Sequence, residues 1–161
     1  MKRAITAVCF ALFVLAIGNV RSQEPKADKP AGALRYVTAA GLATPPGYSH
    51  AVAVERGKLV YVSGQVALNA KGEVPSDFRA EVAQAFQNLR TVLTAAGATP
   101  ADVVKLNYYV VGLNHEKLIV LREARDAFID KDRAPASTLA AVAALFREDC
   151  HIEIEAVAVS R

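Results

Sequence analysis

The first half of the chain changes from short β-type runs to a helical periodicity. Residues 51–54 and 58–63 are largely apolar and β-branched, and the short polar segment between them ends in glycine, which predicts a hairpin. Apolar residues then recur at steps of three or four, which predicts a helix capped by Ser76 or Asp77. Its apolar stripe consists of Phe78, Val82, Phe86, Leu89 and Leu93. Gly97 follows at the position where a helix stop is expected.

The second half adds further strands and one more helix. Residues 103–111 are β-branched and aromatic, which favours a strand, and Asn114 is placed to cap a helix with apolar positions over 118–128. Residues 138–145 fit a strand or a helix by composition. Residues 151–159 alternate strictly, which predicts a last strand. One face of it carries Ile152, Ile154, Ala156 and Ala158, and the other carries Glu153, Glu155 and Val157.

The predicted order is therefore β-β-α-β-α-β-β within a single domain, which a length of 161 residues allows. Each helix is apolar along one stripe, so each should cover one face of a sheet. We expect an α+β sandwich, with a mostly antiparallel sheet and both helices on the same face. Glu153 and Glu155 then fall in mid-strand on the other face. Carboxylates there suit a wet cleft or an oligomer interface better than a core.

The N-terminal segment has the three parts of a secretory signal peptide. Lys2 and Arg3 form a positive start, residues 4–17 form an apolar stretch of 14 residues, and Ser22 is the small residue before a cleavage site. The alternative is a membrane anchor, but a spanning helix needs about 20 apolar residues. The predicted divisions are a cleaved leader over residues 1–22, a flexible linker over residues 23–33 and a folded domain over residues 34–161.

Removal of the leader changes the charge of the protein. The whole chain has 19 basic and 16 acidic residues, and three of the basic ones lie in the leader, so 16 of each remain and the net charge is near zero. Strong attraction to nucleic acid is therefore not expected. We predict a periplasmic or secreted protein with no membrane attachment after cleavage. Cys9 would leave with the leader, and the remaining Cys150 is typical of a small packed hydrophobe.

Few residues carry a chemical signal on their own. His50, His115 and His151 are far apart in sequence and lack the spacing of metal ligands, so no metal site is predicted. The chain has neither a phosphate-binding glycine motif nor a nucleophile elbow. Ser63 and Gly64 interrupt an apolar run at the end of a strand, which fits a simple turn or a backbone site for an anion.

Several short segments together resemble the Rid (YjgF/RidA) family. In chain order they are residues 46–52, 60–65, 95–98, 102–105, 135–138 and 152–156. Each is weak alone, but in this order they extend over nearly all of residues 35–161. The resemblance implies a chorismate-mutase-like fold of the YjgF type, assembled as a homotrimer with small-molecule clefts between subunits. It also implies hydrolysis of reactive enamines and imines to 2-oxo acids and ammonia, without a cofactor.

The resemblance also assigns roles to single residues. Glu155, the second glutamate of the Ile-Glu-Ile-Glu-Ala run, matches the residue that handles the attacking water. Tyr48, Ser63 and Gly64 match residues that shape the pocket. Where the family motif has an arginine for the substrate carboxylate, this chain has Ser137, within a Pro-Ala-Ser-Thr-Leu run. Serine supplies neither a charge nor a fork of donors.

The missing arginine leaves the chemistry open. Arg122 lies near a position where the family often has asparagine, and it could face a cleft together with Arg125; the alternative is a solvated helix face paired with Glu123 or Asp126. Loss of a charged hydrogen bond costs roughly 1.5–3 kcal/mol, so we predict weak or no hydrolysis of 2-aminoacrylate-type imines. The competing functions are a hydrolase that uses Glu155, a non-catalytic trimer that binds a metabolite or acts like a chaperone, and a ribonuclease, which the charge disfavours.

Overall fold

The computed structural model describes residues 34–160, so the predicted leader and linker lie outside the described part. The strands and helices are β1 (Leu34–Val37), β2 (Ala51–Val54), β3 (Lys58–Gln65), α1 (Phe78–Ala95), β4 (Val103–Val111), α2 (His115–Phe128), β5 (Ala136–Val142) and β6 (Ile152–Ser160). Over these residues no helix is long and apolar enough to cross a membrane. Of residues 138–145, which fitted a strand or a helix by composition, residues 138–142 belong to the strand β5.

The strands form two sheets. β1 and β2 pair as an antiparallel ribbon, and the other four strands form a sheet in the order β3-β6-β4-β5. β6 runs antiparallel to both of its neighbours, whereas β5 runs parallel to β4. The α+β class, with two helices and a mostly antiparallel sheet, is therefore confirmed.

The predicted hairpin between residues 51–54 and 58–63 is wrong. β2 pairs with β1, which the sequence analysis missed, and β3 pairs with β6. A strand of four residues makes few ladder bonds, so the partner that the tertiary fold offers decides its pairing. Gly57 takes the chain from one sheet to the other at φ +119°, and a Cβ on it would lie 2.2 Å from Cγ1 of Val159. Only glycine fits there.

Both helices begin at the predicted caps. The Asp77 carboxylate accepts hydrogen bonds from the backbone N–H groups of Arg79 and Ala80, at 3.2 and 2.9 Å. The Asn114 side-chain oxygen accepts one from Lys117 N–H at 2.8 Å. α1 is also joined to the start of β6, because the buried Glu81 carboxylate accepts hydrogen bonds from the backbone N–H groups of His151 and Ile152.

The four-stranded sheet has two unlike faces. The covered face packs against α1 and α2, and its buried residues include Leu106, Tyr108, Val110, Ile152, Ile154 and Ala156. Alternate residues point the other way. We call this second side the open face, and it carries Leu59, Tyr61, Lys105, Asn107, Tyr109, Glu153, Glu155 and Val157. Leu59 is 50% exposed and Tyr61 is 76% exposed, so the open face is accessible in the single chain.

Candidate functional site

A cavity of about 240 Å³ lies on the covered face, between α2, the β4–β5 pair and the loop before β2. Its lining residues are Pro46, Tyr48, Tyr108, Leu118, Leu121, Arg122, Arg125, Ser137 and Leu139. Ser137 reaches it because β5 is parallel to β4, with Ser137 opposite Leu106, so that both side chains point to the covered face. The cavity therefore joins three of the predicted binding residues, Tyr48, Arg122 and Ser137.

The loop between β1 and β2, residues 38–50, holds Tyr48 against the start of β5. Ser49 N–H donates to the Pro135 carbonyl at 3.0 Å, and Ser49 Oγ donates to the Ala134 carbonyl at 2.6 Å. Within the loop, His50 Nδ1 accepts from Ala39 N–H at 2.9 Å. These bonds fix the wall of the cavity in place before any ligand arrives.

The two arginines of α2 differ in what they contact. Arg125 donates from Nε and from one terminal nitrogen to Asp126 Oδ1, at 2.9 and 2.6 Å, and Lys131 also pairs with that carboxylate. Burial opposes ionisation of Asp126, but the hydrogen bonds from Lys131 and Arg125 outweigh it and lower the pKa of the carboxyl. The charge of Arg125 is thus already compensated, as the sequence analysis considered for this residue.

The charge of Arg122, by contrast, is not compensated by a carboxylate within residues 34–160. It is exposed at the rim of the cavity, and among residues 34–160 it forms neither an ion pair nor a hydrogen bond. Its neighbour Glu123, considered as its partner, pairs instead with Arg79 of α1 at 2.6 Å. A cation without a partner beside the hydroxyl of Ser137 can bind an anionic group at the cavity mouth.

Tyr108 was not predicted as a site residue, but it forms part of the cavity wall. Its side chain is 3% exposed, and its hydroxyl has no hydrogen-bond partner within the described part of the chain. Burial raises the pKa of Tyr108, so the hydroxyl stays neutral. In the sequence, Tyr108 stands between Leu106 and Val110 on the side of β4 that faces the core, where the other side chains are aliphatic.

The predicted catalytic residue Glu155 lies on the open face, not in the cavity. Its Oε2 accepts hydrogen bonds from Tyr109 at 3.0 Å and from Asn107 Nδ2 at 3.2 Å. The bond to Glu155 raises the pKa of Tyr109, which keeps the phenol protonated as a donor. Oε1 of Glu155 accepts no hydrogen bond from residues 34–160. That oxygen is available to a water or to another chain.

Ser63 and Gly64 also lie away from the cavity, at an irregularity in β3 where it pairs with β6. The Glu153 carboxylate lies against Gly64, and a Cβ on Gly64 would be 1.6 Å from Glu153 Oε1. In the single chain, the anion beside this predicted backbone site is therefore Glu153. Burial, followed by the nearby charge of Glu155, raises the pKa of Glu153.

The predicted site residues thus divide between the two sides of the sheet. Tyr48, Arg122 and Ser137 line the cavity, whereas Glu155, Ser63 and Gly64 belong to the open side. Within residues 34–160 no group of three or more His, Cys, Asp or Glu side chains is arranged to hold a metal ion. The arrangement defines a small α+β protein with a cavity on one sheet face and a pair of carboxylates on the other.

The sequence relatives agree with this class. A family model described as Endoribonuclease L-PSP matches residues 38–160, and the chain belongs to that family, known also as the Rid or YjgF/RidA family. It is similar to the 2-iminobutanoate/2-iminopropanoate deaminase of Escherichia coli K12, with 37% identity over 111 residues, covering 67% of this chain and 84% of the relative.

Solved structures share the fold. The Rid-family protein YyfB from Yersinia pestis matches with a TM-score of 0.72 and 37% identity, over 80% of this chain and 99% of YyfB. Escherichia coli TdcF, solved with bound serine, matches with a TM-score of 0.58 and 28% identity, over 74% of this chain and 91% of TdcF. These similarities show the family and the fold of the described residues.

Proposed function

We propose that this protein binds small carboxylates in the cavity, with Arg122 holding the carboxylate in place of the arginine that Ser137 replaces. The observation that carries the proposal is the position of Arg122, a cation without a partner within residues 34–160, beside Ser137 and Tyr48 in one cavity. Arg125 is a poorer candidate because Asp126 already occupies it. Serine, the ligand in the TdcF structure, is a small carboxylate of the same kind.

We further propose that the protein hydrolyses imine and enamine derivatives of amino acids, as the name of its Escherichia coli relative suggests. An enamine first tautomerises to the imine. Water then adds to the C=N carbon, the C–N bond of the resulting carbinolamine breaks, and the products are a 2-oxo acid and ammonia. Glu155 takes a proton from the water through Oε1 and returns it to the leaving nitrogen. Because Arg122 is exposed and its charge is screened by water, the rate should be below that of arginine-bearing relatives.

Glu155 can serve this reaction only if a second subunit brings it to the cavity. We propose a homotrimer in which the open face of one subunit packs beside the cavity of the next. Leu59 and Tyr61 support the proposal, since both are apolar or aromatic and exposed on that face. Cyclic assembly gives every subunit the same contact. Light scattering at micromolar concentration should give three times the chain mass, and a monomer would contradict this assembly.

The ligand proposal is tested by removing the charge of Arg122. An amino-acid oxidase generates the imine, semicarbazide competes for it, and faster loss of the imine reports hydrolysis. Arg122→Ala should lower the rate about 10- to 100-fold, since a charged hydrogen bond is worth roughly 1.5–3 kcal/mol. The matched control is Arg35→Ala, which removes an exposed arginine that pairs with Glu55 outside the cavity. Equal rates for the two variants would sink the assignment of Arg122.

The shared site is tested by complementation. Arg122→Ala and Glu155→Gln subunits, each of low activity as a pure trimer, are co-expressed in equal amounts. If each site takes Arg122 from one subunit and Glu155 from its neighbour, about a quarter of the sites are intact in the mixed trimers. Recovery of about that share of wild-type activity supports the shared site. No recovery, with mixed trimers confirmed by mass, shows that it is not shared.

A second candidate function is binding without catalysis. It is favoured by the location of Glu155 outside the cavity of its own chain and by the neutral Ser137. In that case Glu155→Gln should leave carboxylate binding and assembly unchanged, and wild-type protein should not accelerate imine loss. A ribonuclease is not proposed, despite the description of the family model, because the charge of the predicted mature chain is near zero.

We also propose that the protein is exported and cleaved between Ser22 and Gln23. The support is the order of a basic start, an apolar stretch and a small residue in residues 1–22. Mass spectrometry of the N-terminus in the native host tests this proposal. An intact Met1 on a cytoplasmic protein would overturn it.

A further inference from the structure

Two neutral side chains of β4 hold the same oxygen of Glu155. The Tyr109 hydroxyl donates to Oε2 at 3.0 Å, and Nδ2 of Asn107 donates to it at 3.2 Å. No group of residues 34–160 donates to Oε1. The two oxygens of this carboxylate therefore differ, because the fold occupies Oε2 and leaves Oε1 open to a water.

The register between β4 and β6 produces this arrangement. Asn107 lies directly opposite Glu155, and Tyr109 lies opposite Glu153, two residues further along β4. All four side chains point to the open face, because alternate residues of a strand share a face. A directly opposed side chain reaches its partner with a short amide, whereas a diagonal neighbour needs the length of a tyrosine. Both strands are central in the four-stranded sheet, and side chains on strands are held more precisely than side chains on loops.

The donors to Glu155 are uncharged, which suits a group that must exchange a proton. Lys105 lies on the same face, but its ammonium donates to the Thr138 hydroxyl at 2.7 Å. A cation paired with a carboxylate would disfavour protonation of that carboxylate. A phenol and an amide orient the carboxylate without neutralising its charge. The bond to Glu155, followed by burial, raises the pKa of Tyr109, so the phenol remains a donor at neutral pH.

We propose that Tyr109 and Asn107 are positioning residues for Glu155, which hold Oε2 so that Oε1 keeps one orientation towards the attacking water. The inference rests on the proposed function, in which Glu155 is the acid and base of the reaction. It deepens that function by naming the residues that fix the carboxylate. A catalytic group that loses its orientation loses rate even when the substrate still binds.

The kinetics of Tyr109→Phe and Asn107→Ala test the proposal. In the semicarbazide assay, run at several imine concentrations, each variant should lower kcat about tenfold, a part of the roughly 10²- to 10⁴-fold that general acid–base catalysis contributes. KM should change less than about twofold, since Arg122 and not Glu155 holds the substrate carboxylate. The matched control is Tyr36→Phe, which removes a tyrosine hydroxyl from β1 in the other sheet and should leave both constants unchanged.

The same substitutions in a Glu155→Gln background separate positioning from a general structural effect. If Tyr109 and Asn107 act through Glu155, neither substitution should lower the residual rate further. A further loss of the same size there, or wild-type kcat in both single variants, would overturn the inference. The proposed function would still stand in that case, provided that Glu155→Gln alone lowers the rate. If the wild type hydrolyses no imine, or if Glu155→Gln is fully active, both proposals are overturned.

A spectroscopic measurement keeps the inference testable if the variants of Tyr109 and Asn107 fail to fold. In protein labelled with carbon-13 at the tyrosine ζ position, the ionisation of Tyr109 can be followed at high pH. Because the bond to Glu155 raises the pKa of Tyr109, Glu155→Gln should lower that pKa. Glu153→Gln, which removes a neighbouring carboxylate that acts only by its charge, should lower it less. An unchanged pKa of Tyr109 in Glu155→Gln would show that the bond does not form, and the inference would be overturned.

Discussion

The covered and open faces of the four-stranded sheet are built from the same four strands but differ in what they contact. On the covered face Leu106, Val110 and Ile154 are fully buried, and the few polar groups there line one cavity. The open face carries the half-buried Glu153 and Glu155 together with the exposed side chains of Leu59 and Tyr61. One strand can therefore supply a core to its own chain and leave a polar, accessible surface on its other side. The covered face stabilises the chain, and the open face is available for the proposed assembly.

The largest expected effect is a difference in the loss of stability between two substitutions, one on each face. Leu106→Ala on the covered face should lower the free energy of unfolding by about 3 kcal/mol, because it leaves a cavity in a closed core. Leu59→Ala on the open face should cost less than about 1 kcal/mol in the single chain, since Leu59 is 50% exposed. Urea unfolding measures both. Similar losses, independent of protein concentration, would contradict the distinction between the faces.

A pair of glycines tests how tightly the cavity wall is held. Gly47 and Gly72 have nearly the same φ, +80° and +79°, but a Cβ would collide with Arg125 at Gly47 and meet open space at Gly72. Gly72→Ala should cost about 1 kcal/mol from backbone strain alone. Gly47→Ala should cost about 1 kcal/mol more and should also weaken carboxylate binding, because Arg125 and the loop beside Tyr48 must move. Equal costs would show that Arg125 yields freely.

Removing the hydroxyl from each of two adjacent tyrosines of β4 should change the stability of the protein in opposite directions. Tyr108→Phe removes an unpaired buried hydroxyl, so stability should stay unchanged or rise by up to about 1 kcal/mol. Tyr109→Phe removes a donor to Glu155 on the open face and should lower stability. Thermal unfolding of the ligand-free variants decides the signs. A clear loss of stability in Tyr108→Phe would show that its hydroxyl has a partner in the empty cavity.

The smallest expected effect is a pH dependence from the open face. The pKa of Glu153 is raised in the folded state, so the folded protein binds this proton more tightly than the unfolded chain. The stability that this proton contributes is therefore lost as the pH rises from about 4, near the ordinary pKa of a glutamate, through the raised pKa of Glu153 in the folded protein. Glu153→Gln should remove this slope, gaining less than about 0.5 kcal/mol at pH 7. Glu148→Gln, in an exposed loop, should keep it; an unchanged slope in Glu153→Gln would disprove the assignment.

Much of the fold could be predicted because its signals are local. Asp77 and Asn114 cap the helices through bonds within a few residues, and the alternation of β6 follows directly from the pleat of a strand. The pairing of the four-residue β2 is not local, and so the hairpin prediction failed. Which strands adjoin depends on long-range packing that residues 51–63 do not encode by themselves.

The site was predictable only in its parts. Tyr48, Ser137 and Arg122 were each named from the sequence, but their meeting in one cavity depends on the parallel pairing of β5 with β4. The bond between Arg79 and Glu123 joins residues 44 positions apart, and it is this bond that leaves Arg122 without Glu123 as a partner. The missing partner of Tyr108 is likewise a property of the packed structure, and no spacing in the sequence reports it.

The hydrogen bond from Ser49 Oγ to the Ala134 carbonyl has a consequence for folding kinetics. It joins residues 85 positions apart and brings Tyr48 to Ser137, so the cavity does not exist until a long loop has closed. Contacts of such sequence separation tend to form slowly. We therefore expect ligand binding to appear late during refolding, after the helices and the hydrophobic core. A bound carboxylate would then serve as a reporter of the completed native state.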